Sequence, residues 1–106
     1  MKTLNIAIFF LAIVFSVPAF AKDITTFRNP RYEGHFLDWC LTWATDCGRP
    51  AARAFCRLKG FDGVHDFQKS YQARGITKTI NGNELCRTNV NHPHCDGFEF
   101  IKCYVD

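Results

Sequence analysis

Phe36, Trp39 and Trp43 are the residues whose types and spacing say most about chemistry. Aromatic side chains one helical turn apart, if exposed, form a stacking platform for a sugar ring or an anchor for a partner protein. The plainer reading is that a small disulfide-stapled domain with few aliphatic residues builds its core from Trp39 and Trp43. The second concentration is the stretch between Cys86 and Cys95, which carries Arg87, His92, Pro93 and His94, with Asp96 just beyond. Two imidazoles flanking a proline can turn toward one Zn or Cu ion. The plainer reading is a polar surface loop clamped at its ends, and no metal or other cofactor is expected. A protruding loop of this kind, with Arg87 at its start, is also what an inhibitor of an extracellular enzyme presents.

Catalytic constellations are harder to find. His35, His65, His92 and His94 include enough imidazoles for an acid–base pair, but no spacing requires one. No serine-nucleophile motif occurs, and the acidic residues are too scattered for a carboxylate pair to be picked out. The expectation is therefore a non-enzymatic protein, with a small hydrolase as the third choice. Net charge is +3, from 13 Lys and Arg against 10 Asp and Glu. Arg49, Arg53, Arg57 and Lys59 concentrate on one segment, which falls short of a nucleic-acid footprint. Arg53 and Arg57 read as a solvated helix face.

Whatever the ligand, sulfur must hold the scaffold. The cysteines are Cys40, Cys47, Cys56, Cys86, Cys95 and Cys103, an even number in a chain of 106 residues. No C-x-x-C pair suggests a zinc site. Residues 1–21 read as a secretory signal: Lys2, an apolar run from Ile6 to Val17, Pro18, then Ala19-Phe20-Ala21 as a small-x-small cleavage site. The run is shorter than the ~20 apolar residues that span a bilayer, so no stable membrane insertion is expected. A single disulfide-stabilised domain, Lys22–Asp106, is expected in a secreted or periplasmic, oxidising setting.

The elements follow from periodicity and turn signals. Lys22 to Gly34 reads as irregular, with a turn at Asn29-Pro30. Asp38 to Gly48 reads as a helix with an apolar arc of roughly 200°, wider than the ~100° stripe of a surface helix. Pro50 and Gly60 bracket a second helix over Ala51 to Lys59, and the short link at Gly48-Arg49 implies an antiparallel helical hairpin. Val64, Phe67 and Tyr71 suggest a third short helix within Gly63 to Tyr71. Then the period changes to two: a strand over Ile76 to Ile80, a type I′ hairpin turn at Asn81-Gly82, a return strand within Asn83 to Thr88, and a last strand from Phe98 to Val105.

The predicted fold is α+β, a small disulfide-rich domain with an antiparallel helical hairpin packed on a short antiparallel sheet. In such a hairpin Cys40 faces Cys56. A local Cys86–Cys95 bridge then leaves Cys47–Cys103, with Cys40–Cys103 and Cys47–Cys56 as the rival set. The functional expectation is a small secreted or periplasmic binding protein whose partner is a carbohydrate or an extracellular protein, with no nucleic acid. Its candidate binding residues are Phe36, Trp39, Trp43, Arg87, His92 and His94. A secreted inhibitor or antimicrobial effector is the alternative.

Overall fold

The computed structural model describes residues 22–71, 74–88 and 94–106. The expected signal segment, residues 1–21, lies outside them, as does His92. In chain order the elements are β1 (Asp23–Arg28), β2 (Arg31–Tyr32), β3 (His35–Leu37), β4 (Cys40–Thr42), β5 (Thr45–Cys47), α1 (Arg49–Leu58), β6 (Gly63–Lys69), β7 (Ile76–Lys78), β8 (Leu85–Arg87) and β9 (Phe98–Val105). The domain is disulfide-rich as expected, but it is mostly β, and the helical hairpin is overturned.

One region is a three-stranded antiparallel sheet, β1-β9-β6, with α1 packed on its inner face. The last strand has the bounds its alternation predicts. Ile101 and Cys103 turn inward and are buried, while Phe100 and Tyr104 turn outward under Arg28, Lys102 and Lys22. Phe98 is buried too, against the simple alternation. Gln68 pairs with Phe100 and Lys69 with Phe98, so Glu99 is an extra residue that resets the phase.

The helix is the one expected. Proline opens it, and it closes with Gly60 at φ 93°, Gly60 N–H donating to Arg57 O and Phe61 N–H to Cys56 O. That paired pattern is a Schellman cap. Ala51, Ala52, Phe55 and Cys56 face the sheet, and Phe27 meets Phe55 and Phe61 edge-on at 5.2 and 5.7 Å.

The other expected helices are strands, each for a visible reason. Cys40 and Cys47 are directly opposite across the β4–β5 hairpin and are bonded to each other. In a helix, residues seven apart are separated by about 10 Å along the axis, beyond disulfide reach. Ala44 and Asp46 supply left-handed backbone in and beside its turn. The pairings Cys40–Cys56 and Cys47–Cys103 are thereby excluded, as is the rival set. The remaining bridges are Cys56–Cys103, tying α1 to β9, and Cys86–Cys95 as expected.

Gly63 to Lys69 is a strand that imitates a helix. Val64 pairs with Cys103 and Phe67 with Ile101, both inward, because His65 is an extra residue between them. A bulge turns period-two alternation into a three-residue apolar spacing. The stretch read as irregular contains β1, β2 and the turn into β3, which places Glu33 and Gly34 at φ 49° and 84°.

A second sheet runs β2-β3-β7-β8, with β3 and β7 parallel. The β7–β8 hairpin is present, but its turn is longer than the expected type I′. Gly82 and Asn83 take positive φ rather than Asn81 and Gly82. Thr79 closes the loop through reciprocal backbone and hydroxyl bonds to Glu84. Among the described residues no helix is long and apolar enough to cross a membrane.

Candidate functional site

Trp39 and Trp43 line the same cleft, although no helix brings them there. Trp39 lies in the link between β3 and β4, and Trp43 in the turn between β4 and β5. His94 and Asp96 reach the cleft from the segment leading into β9, and Asp38 from the end of β3. Its volume is about 240 Å³, with Cys40 and Cys86 among its walls. Both local disulfides therefore border it.

The backbone fixes Trp39 from both sides. Its N–H donates to Asp96 O at 2.8 Å, and its carbonyl accepts from Gly48 N–H at 2.8 Å. The indole packs on Phe98 and Phe67, at 4.8 and 5.8 Å between centroids, and leaves an edge to the cleft. Gly48 makes that packing possible: it is buried with φ 79°, and a Cβ there would come within 3.3 Å of the indole. Trp43 is 39 % exposed. Its backbone N–H donates to Glu84 Oε1, and Asn81 holds the same hairpin through Leu41 O and Thr42 Oγ1. The β7–β8 connection thus props up the turn that carries the second indole.

Two carboxylates share the cleft, and their charges are handled differently. Asp96 pairs with Lys69 Nζ at 3.3 Å, and that ammonium lies 5.4 Å from the Trp39 ring. Asp38 is buried. Thr77 Oγ1 donates to one of its oxygens, and Cys40 N–H to the other at 2.9 Å. Burial pushes its carboxyl above the ordinary aspartate range; the bonds from Thr77 and Cys40 oppose that shift, and Asp96 reinforces it. The cleft thus sets apolar indole and disulfide walls beside two carboxylates, Asp96 paired with a cation and Asp38 with neutral donors.

The remaining candidates scatter. Phe36 is on β3, held between the guanidiniums of Arg31 and Arg74 at 4.5 and 4.6 Å, away from the tryptophans. Arg87 is exposed on β8 and does not line the cleft. The loop reading of Arg87 to His94 falls largely on residues 89–93, outside the described chain. Among the described residues no group of three or more His, Cys, Asp or Glu is placed to hold a metal. His35 Nδ1 donates locally to Glu33 O, and His65 occupies the β6 bulge, so no pair of described histidines converges.

Sequence reasoning missed Asp38. Its signal is the Asp-Trp-Cys run, in which a short acidic side chain can bond the backbone N–H two residues on and turn the chain before β4. Comparison of the chain with protein-family models, with curated proteins and with solved structures finds no match.

Proposed function

We propose that this is a small secreted or periplasmic carbohydrate-binding protein, without catalytic activity, that holds one neutral sugar ring in the Trp39–Trp43 cleft. The observation that carries the reading is the pairing of two indoles with Asp38, His94 and Asp96 around a single small cleft. Indole faces and edges suit the C–H faces of a pyranose, and carboxylates and imidazole suit its hydroxyls. The volume lies below the ~300 Å³ at which pockets for drug-sized ligands begin, which favours a terminal ring over a chain.

Charge favours sugar over a cationic ligand. Lys69 already neutralises Asp96 beside Trp39, so the cation place of an aromatic–carboxylate site is filled from within. Three intramolecular disulfides fit an oxidising compartment, and the expected signal segment supports export.

The test is binding of the oxidised protein to a panel of neutral glycans, followed by tryptophan emission. A neutral glycan should shift the emission, and Trp43→Ala should abolish that shift while the protein stays folded. Emission inaccessible to iodide and unchanged by every glycan would end the proposal.

A further inference from the structure

α1 carries Arg49, Arg53 and Arg57 at four-residue intervals, all exposed. That spacing puts three arginine positions along one side of the helix over about 12 Å, with the Arg49 guanidinium turned toward Val64 O and the Phe67 ring. The pattern is locally unfavourable. Like charges at i, i+4 repel, no acidic residue occupies the first turn, and Arg49 stands at the positive end of the helix dipole.

Most other cations in the described chain have an internal role. Lys69 pairs with Asp96 and Lys78 with Glu33. Arg31 and Arg74 cover Phe36, Arg28 and Lys102 cover Phe100, and Lys22 covers Tyr104. Arg49 makes only a 3.5 Å bond to Val64 O and a ring contact with Phe67. Among the described residues no carboxylate lies within ion-pair distance of Arg49, Arg53 or Arg57.

We propose that this arginine stripe docks an anionic polysaccharide bearing sulfate or uronate groups, at a surface separate from the Trp39–Trp43 cleft. Guanidinium forks bind carboxylate and sulfate-like oxygens in pairs, and a row of them selects a polymer with repeated negative groups. A lipid surface fits less well. On the exposed arc of α1 the large apolar residue is Leu58, 57 % exposed, which is little to bury in a bilayer. Three cations also fall short of the 6–10 phosphate contacts typical of strong nucleic-acid binders.

The experiment measures binding of the oxidised full-length secreted protein to heparin across a salt series. Vesicles of equal parts phosphatidylglycerol and phosphatidylcholine, and a single-stranded oligonucleotide, are measured alongside. Heparin should bind best. R53A/R57A should weaken it at least about tenfold and lower the slope of log K against log salt by about two. K22A/K102A removes equal charge from the opposite sheet face and should change the affinity by less than about twofold. Alanine is a better helix former than arginine, so the stripe variants keep α1, which far-UV circular dichroism checks. No heparin binding at low salt, equal losses in both double variants, or tighter binding to the vesicles or the oligonucleotide would overturn the proposal.

Discussion

The β1-β9-β6 sheet with α1 and the cleft-bearing hairpins are built by different means. The first is apolar: Phe55, Ile101, Val64 and Phe98 are buried together, and one bridge, Cys56–Cys103, joins residues 47 apart in sequence. The second has short strands tied by polar bonds, Asp38 to Thr77, Asn81 to Thr42 and Trp43 to Glu84, and by bridges between residues 7 and 9 apart. Apolar packing holds the first region together. Local crosslinks hold the second in shape and leave the Trp43 indole partly exposed.

The disulfides give the largest contrast. Removing Cys56–Cys103 by serine substitution should lower unfolding free energy by about 4 kcal/mol, and removing Cys40–Cys47 by about 2.5 kcal/mol, since the longer loop restricts the unfolded chain more. Denaturant titration of the two variants checks the order. A reversed order would mean that the hairpin, not the α1 sheet, is the stability centre.

Gly48→Ala strikes the junction between the regions. The positive φ and the approach to Trp39 should cost about 1–3 kcal/mol, and the indole emission should shift as its packing loosens. An unchanged emission spectrum would show that Trp39 does not depend on the close backbone approach.

Asp38 tests the polar ties through pH. Its folded-state carboxyl titrates above the unfolded value, so the folded state favours the protonated form. The stability it contributes is present below the ordinary aspartate range and is lost as pH rises through the raised folded value. Wild type should therefore lose stability relative to D38N as pH rises from the ordinary aspartate range through the raised folded value. A difference independent of pH would refute the assigned shift. The smallest stability effect belongs to Trp43→Ala: an exposed turn residue should change unfolding free energy by less than about 1 kcal/mol, while the proposed sugar binding should be largely lost.

Elements with strong local signals were legible. Pro50 and Gly60 marked α1, alternation marked β9, and Asn81-Gly82 lay in a real hairpin connection. Trp39, Trp43 and His94, candidates by residue type, line one cleft, although the helical spacing of the tryptophans is not what joins them. Phe36 was grouped with them by that spacing and sits elsewhere. The β6 bulge hid a strand behind a helical period, and Asp38 had no spacing signature because its partner, Thr77, lies 39 residues away.

By itself the sequence determined a cysteine-braced domain with one capped helix, because caps, turns and alternation are properties of neighbouring residues. Tertiary structure decided the disulfide partners, the strand nature of 38–48 and the meeting of Asp38, Trp39, Trp43, His94 and Asp96. Those depend on which chain segments lie side by side. A helix and a bridged hairpin make equal use of Trp39 and Trp43 as apolar residues, and only the position of Cys47 opposite Cys40 distinguishes them.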